Sequence, residues 1–406
     1  MNLAHKIRLT PSELDIAYFK KACGVARFTW NWALSEWNKQ YQSGKKPNAL
    51  SLKKEFNALK KLDFPWIFEV TKYASQQPFI FLGKAFANFF KDFKKTKKTR
   101  QFRYPQFKKK GKCRDGFYIG GDQVKILENK VKIPNLGWVT MTETLRWTGN
   151  IQSATITRHA DKWFISFSVE TSMKPETCKS QASVGVDLGV LKLATLSDGI
   201  EVEGSKPLKS YQRRLKRLQR QRTKKTLNSN NFAKASMREA RLHYKIGCIR
   251  KDSLHKLTTQ LTKNYRYICI EDLNVKGMMA NHKLARAISD MSFYEFKRQL
   301  IYKAEMKGNT VLIVDRFFAS SKLCSRCDAK NEALKLSDRT FHCKHCGLKI
   351  NRDLNASRTL EKQLYTGSSP GIYACGQDGS YDLKNGNRKL AWMNQEKEPV
   401  QICIGF

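Results

Sequence analysis

Residues 183–199 read SVGVDLGVLKLATLSDG. Ser183–Asp187 is an apolar run of strand length that ends on an acid. Leu188-Gly189 then turns the chain into a second strand, so a hairpin is expected. Two further runs have the same build, Tyr267–Glu271 (YICIE) and Thr310–Asp315 (TVLIVD). Between and after them the pattern is helical. A basic stretch opens at Lys206 and continues to about Asn264, with a break at Asn228–Asn231. Met291–Lys307 is amphipathic, and Asn351–Leu364 reads as a helix starting close to Asp353.

Upstream, Met173–Ser183 (MKPETCKSQAS) is a polar linker and marks a domain boundary. Phe117–Glu170 holds short strand-like runs such as GWVTMTE and DKWFISFSVE, broken at Gly120-Gly121, Pro134-Asn135 and Gly149-Asn150. That is the pattern of an antiparallel barrel or sheet. Residues 1–10 alternate weakly around Ile7 and Leu9 and stop at Thr10-Pro11-Ser12, where Ser12 with Asp15 signals a helix start. From Glu13 to about Lys98 the pattern is helical. Its aromatics (Phe28, Trp30, Trp32, Trp37, Phe79, Phe81, Phe86, Phe89, Phe90, Phe93) read mainly as packing residues. Pro47, Pro65 and Pro78 are expected to divide this region into short helices. Between Lys91 and Arg114 lie twelve Lys/Arg and one acid, Asp92, interleaved with Phe93, Phe102, Tyr104 and Phe107. This stretch is either a solvated linker or a surface that stacks on bases and grips phosphates.

The 406 residues hold 76 Lys+Arg against 35 Asp+Glu, a net charge of +41, with a hydrophobic share of 41%. That share suffices for buried cores and excludes a chain disordered throughout. The length suits roughly two or three domains. Charge of this size repels itself unless a polyanion neutralises it, and nucleic acids are the abundant polyanions of a cell. No run reaches the ~18 apolar residues of a membrane span, and Met1–Thr10 lacks a signal-peptide core. A cytoplasmic protein with no membrane partner is therefore expected.

Four of the eleven cysteines form Cys324-Ser-Arg-Cys327 and Cys343-Lys-His-Cys346, with fifteen residues between the pairs. The others are scattered, and an odd total argues against a disulfide framework. C-x2-C-x15-C-x2-C is zinc-ribbon spacing, in which two knuckles each deliver two thiolates to one tetrahedral Zn2+. Four thiolates close the shell, so such an ion is structural. His342 and His345 are then neighbours of the ion or exposed, not ligands.

Three acids share a setting: Asp187 late in one strand, Glu271 ending another, Asp353 opening a helix. Converging carboxylates can hold two Mg2+ about 4 Å apart, one activating a water and the other stabilising the 3′ oxygen that leaves a phosphodiester. Each acid also has a plain reading. Asp187 could cap a turn, Glu271-Asp272 could lie exposed at a strand end, and Asp353 could balance a helix N-terminus. Residue pattern alone leaves both open. Asp315, at another strand end, is a spare candidate beside the metals.

The segments VGVDLGVLKLATLSDG (184–199), CIEDLNVKGM (269–278) and CSRCDAK…FHCKHCGLKINRDLNASRTL (324–360) closely resemble the split RuvC nuclease and zinc ribbon of TnpB proteins. These are transposon-encoded, RNA-guided DNA endonucleases related to type V CRISPR effectors. KIRLTPSELDIAYFKKACGVARFTWNWAL and Ser75–Phe90 are similar to the family's early region. The resemblance implies a multidomain α+β and α/β chain. Residues 1–10 and 115–175 would form a wedge-like β-barrel, and 11–114 a helical recognition lobe with a basic linker. A RuvC-like, RNase H-like nuclease would span 184–319 and 347–364 with a helical insertion at about 205–264, and the ribbon would be 320–346. The resemblance stops short of 365–406, which is Gly/Ser/Asn-rich with little periodicity and is expected to be a mobile tail.

The resemblance further implies that Asp187, Glu271 and Asp353 are the catalytic acids and hold two Mg2+, and that Cys324, Cys327, Cys343 and Cys346 hold Zn2+. The implied partners are a guide RNA from the transposon's own end and double-stranded DNA beside a short T-rich motif, met by a monomeric protein in a ribonucleoprotein. Lys72 and Gln76 resemble positions that face this motif. Lys108, Lys109, Lys110, Arg213, Arg214, Arg217 and Arg220 are candidate nucleic-acid contacts. Three departures stand out: Asp328 where the family usually has Gly, Asn351 for the first Asp of a DRD run, and Ala356-Ser357 for Ala-Ala. Two other functions compete with a cutting enzyme. One is an RNA-guided DNA-binding protein or repressor without catalysis; the other is an RNA-free structure-specific nuclease or transposase.

Overall fold

The computed structural model describes residues 2–93, 102–172, 177–335 and 337–366, with the backbone of Ile372–Ala374. Part of the basic run (94–101), part of the polar linker (173–176) and most of the expected tail lie outside these residues. The chain divides into two compact units, 1–173 with 215–244, and 174–214 with 245–406. Among the described residues no helix is long and apolar enough to cross a membrane.

The first unit opens with β1 (Asn2–Thr10), followed by α1 (Glu13–Gln42). Ser12 caps α1 through a reciprocal exchange with Asp15, as its sequence position suggested. Next come α2 (Ala49–Asp63), capped by Asn48 after Pro47, a 3-10 turn at Pro65–Glu69, and α3 (Lys72–Phe93). Pro78 does not divide the helices as expected, because it sits buried inside α3. Ala74 and Ser75 before it and Phe79, Leu82 and Phe86 after it, all buried, anchor the helix on both sides of the missing N–H. Trp37 stacks on Phe86 at 4.1 Å, so much of the aromatic stripe is core, although Phe90 and Phe93 remain exposed.

The strands β2 (Gly116–Gly120), β3 (Lys125–Leu127), β4 (Lys130–Ile133), β5 (Gly137–Met141), β6 (Asn150–His159) and β7 (Lys162–Glu170) join β1 in one antiparallel sheet. Its order is β2-β6-β7-β1-β5-β4-β3. β1 holds the halves together by changing partners: Asn2–Arg8 pairs β7, whereas Leu9 and Thr10 pair β5. Among the described residues no ladder joins β2 to β3, so the order is open.

The second unit is built on β8 (Ser183–Asp187), β9 (Ala194–Leu196) and β10 (Glu201–Val202), the expected hairpin with a third short strand. The basic region forms α4 (Pro207–Thr223) and α5 (Asn230–Asn264), of which 215–244 count with the first unit. Then follow β11 (Tyr267–Glu271), α6 (Val275–Met279), α7 (Ala285–Met291), α8 (Phe293–Lys307) and β12 (Thr310–Val314). The ribbon hairpin is β13 (Thr340–His342) with β14 (Lys349–Asn351), and α9 (Arg352–Thr366) follows directly. β15 (Ile372–Ala374) adds to the edge of β12. The resulting mixed sheet runs β10-β9-β8-β11-β12-β15, with β8, β11 and β12 parallel at its centre. Their interiors, including Val184, Val186, Ile268, Ile270 and Val311, are fully buried.

Candidate active site and zinc ribbon

Asp187 and Glu271 end β8 and β11, parallel neighbours in which Val186 pairs with Ile270. The next residues in that register are the two acids, at the carboxyl edge where such sheets hold ligands. Asp353 arrives on α9, and Gly185 admits the helix. A Cβ on Gly185 would lie 1.9 Å from the Ser357 carbonyl oxygen and 2.6 Å from the Glu361 nitrogen. Behind it, Ser183 Oγ donates to Glu361 Oε1. The helix therefore runs antiparallel to β8, with Glu361 over Ser183 and Ser357 over Gly185. Two strand residues advance about 6.6 Å and four helical residues about 6 Å. The next match in this register sets Asp353 against Asp187.

The electrostatics agree. Burial first, then Asp353 and Glu271, push the Asp187 carboxyl up to about 7 against a pull from Arg352. Burial and the adjacent Asp272 push Glu271 up to about 7. Asp272 moves the opposite way: burial opposes its charge, but Lys297 and Arg316, each at 2.7 Å, hold it below the ordinary carboxylate range. Asn351 Oδ1 accepts the N–H groups of Asp353 (2.9 Å) and Leu354 (3.2 Å). Its departure from the family Asp thus preserves a helix cap, a role Asn fills as well as Asp. Asp315 stays apart; it is exposed, and its Oδ1 accepts the Phe317 N–H at 2.8 Å.

In the ribbon, Cys324, Cys327, Cys343 and Cys346 bring their ligand atoms within 4.8 Å of one another. Among the described residues they are the one group of three or more such ligands this close, and the carboxylates of Asp187, Glu271 and Asp353 do not all meet that distance. Asp328 takes the same left-handed turn (φ +59°) as Gly347 in the second knuckle (φ +73°), a conformation Asp tolerates. Its carboxylate is held by Lys362 of α9 at 3.0 Å. The Cys346 N–H, 3.5 Å from Cys343 Sγ, draws that thiol down to about 6. His342 and His345 are exposed. Asn355 ties the ribbon to α9 by donating to the Leu323 carbonyl (2.6 Å) and accepting the Ser325 N–H (2.9 Å). Four soft thiols fit a tetrahedral zinc ion, and the hard oxygens of the acids fit a magnesium-like ion.

Three family descriptions match parts of the chain: a probable transposase, OrfB of the IS605 type, over 166–282; a Cas12f1-like TNB domain over 293–360; and a helix-turn-helix domain over 1–46. In the last of these the structure has β1 and the single helix α1. InsQ of Escherichia coli K12, named as a candidate RNA-guided DNA endonuclease, is 31% identical over 92% of this chain and 94% of its own. A candidate RNA-guided DNA endonuclease of Streptomyces pristinaespiralis is also 31% identical, over 99% and 98%. The chain belongs to the TnpB family. A solved Cas12f1–sgRNA–target DNA complex shares the fold of this TnpB protein at TM-score 0.52 and 13% identity, covering 89% of this chain and 98% of that one.

The basic candidates of this TnpB chain occupy different settings. Lys72 begins α3, pairs with Asp122 at 3.1 Å and lies 5.0 Å from the Tyr73 ring; Gln76, one turn on, is half-buried. Lys108 is stitched to α1: its backbone exchanges hydrogen bonds with the Asn31 side chain, and its ammonium lies 4.0 Å from the Trp30 ring. That segment is therefore no free linker. Lys109, Lys110, Arg213, Arg214, Arg217 and Arg220 are exposed. Sequence reasoning missed Gly185, Asn355 and Asp290. A glycine inside an apolar strand is a readable sign of close backbone approach. Asp290 has no such sign: it caps α4 from far along the chain, accepting from the N–H groups of Leu208 (2.9 Å) and Lys209 (3.0 Å) and from Arg250 (2.8 Å).

Proposed function

We propose that this protein is an RNA-guided endonuclease for double-stranded DNA, with Asp187, Glu271 and Asp353 as its catalytic acids in a RuvC-like nuclease. The observation that carries this reading is the register of α9 on β8, which brings an acid from the helix to the edge where two strands already end in acids. Two of these carboxyls are pushed up to about 7, a cost that makes the cluster a seat for cations. The three carboxylates would hold two Mg2+ ions. When bound, such ions supply Lewis acidity to the attacking water and to the departing 3′ oxygen. The protein's own part is orientation. Gly185 seats α9, Asn351 caps it, and Lys297 with Arg316 keep Asp272 paired beside Glu271.

The zinc ribbon grips α9 near its start, where Asn355 donates to the Leu323 carbonyl, and near its end, where Lys362 pairs with Asp328. The charge of +41 matches a guide RNA and the strands it opens, with sequence read mainly by base pairing next to a short T-rich motif. A guide taken from the transposon end would make the enzyme an agent of transposon maintenance, working in the cytoplasm as a monomer bound to RNA. The test is cleavage of motif-bearing duplex by the protein with its copurified RNA and Mg2+. Asp187→Ala should abolish cutting and leave binding nearly intact. Binding without cutting by the unmodified protein would point to a repressor, and cutting without RNA to a structure-specific nuclease.

A further inference from the structure

Strand β12 ends at Val314, paired with Glu271 of β11, and the chain then reads Asp315-Arg316-Phe317-Phe318. The two phenylalanines part company. Phe318 packs against the small core of Cys269, Leu312, Val314 and Leu360, beneath the strands and α9. Phe317 is 87% exposed, the highest value among the large hydrophobic residues described. Its position is built rather than incidental. Asp315 Oδ1 accepts the Phe317 N–H at 2.8 Å, the Phe318 N–H donates to the Asp315 carbonyl at 3.0 Å, and Arg316 is fastened to Asp272 at 2.7 Å. Single exposed apolar residues are common. A phenyl ring held outward by two hydrogen bonds, an ion pair and an anchored neighbour is a different case.

Its location names the occupant. Three residues of chain span at most about 11 Å, and neighbouring strands lie about 4.8 Å apart. Phe317 therefore stands within roughly 15 Å of Glu271, a span that a few nucleotides of a single strand cover. Arg316 and Lys297 add cationic groups on the same edge. We infer that Phe317 is a stacking post for a base of the single DNA strand entering the carboxylate cluster, a residue that positions substrate. The inference rests on the nuclease reading above.

Stacking depends on an aromatic face, which separates it from a merely structural role. The ribonucleoprotein is compared as Phe317, Phe317→Ala, Phe317→Leu and Phe317→Trp, with Tm and zinc content as folding controls. Ala and Leu should each lower single-turnover cleavage about tenfold, and Trp should restore it. A strand carrying 2-aminopurine should be quenched by the Phe and Trp forms and not by Ala or Leu. Equal quenching by all four, or rescue by Leu, would overturn the inference. If the unmodified protein fails to cut, the nuclease reading falls, while the quenching still decides whether Phe317 stacks.

Discussion

The cysteine quartet of the ribbon and the acid cluster are two candidate ion sites assembled in opposite ways. The ribbon's four cysteines fall in one stretch of 23 residues (324–346), in pairs, each pair on a single knuckle. The acids come from positions 187, 271 and 353, on two strands and a helix. In the ribbon the spacing of the ligands is itself the geometry. In the cluster, geometry depends on residues with no ion chemistry, above all Gly185. A local site fails when a ligand is lost; a distributed site also fails when its scaffold shifts.

The sharpest way to break this contrast is Gly185→Ala, which touches no ligand. The added methyl meets the Ser357 carbonyl at 1.9 Å, so α9 must move. A displacement near 1 Å is expected to cost about a hundredfold in cleavage, with zinc content unchanged. Cleavage at the original rate would show that α9 does not set Asp353. Next in size, Cys343→Ala should release the zinc and loosen the ribbon, since structural zinc contributes folding energy directly. Metal analysis checks this, and full zinc retention would remove Cys343 from the ligand set.

A pH series sharpens the same contrast. Asp187 and Glu271 are both raised to about 7, so between roughly pH 4 and 7 the folded protein binds more protons than the unfolded chain. Stability without Mg2+, with zinc retained, should therefore fall as pH rises from about 4 to 7 and level off above that. Mg2+ should restore the Tm at pH 8 and do little at pH 5. A flat thermal profile would mean the two carboxyls are not raised. The smallest effect is expected at the surface. Neutralising Arg213 and Arg217 should flatten the salt dependence of nucleic-acid binding, by about 0.9 in slope for each duplex phosphate these side chains no longer neutralise. An unchanged slope would take α4 out of the interface.

Much of this was legible in one dimension, because it depends on neighbours in sequence. Ser12 and Asp15 cap α1, the runs at 183, 267 and 310 are central strands, and the paired cysteines meet. Pro78 misled because a proline breaks a helix only where packing does not hold its flanks, and here buried Ala74 on one side and Phe79 on the other hold them. Asp290 at the head of α4 could not be read, since its partners are far away in sequence.

The order of residues by itself determined the charge, the cysteine quartet, and which strands end in acids, since composition and short-range spacing are properties of the chain alone. Only the tertiary structure decided that Asp353 comes near enough to Asp187 to help raise its carboxyl, that Phe318 turns inward while Phe317 turns out, and that Asn355 clasps the ribbon. Those outcomes depend on which surfaces can approach closely enough to exclude water and pair their polar groups, and that is fixed only when distant segments pack together.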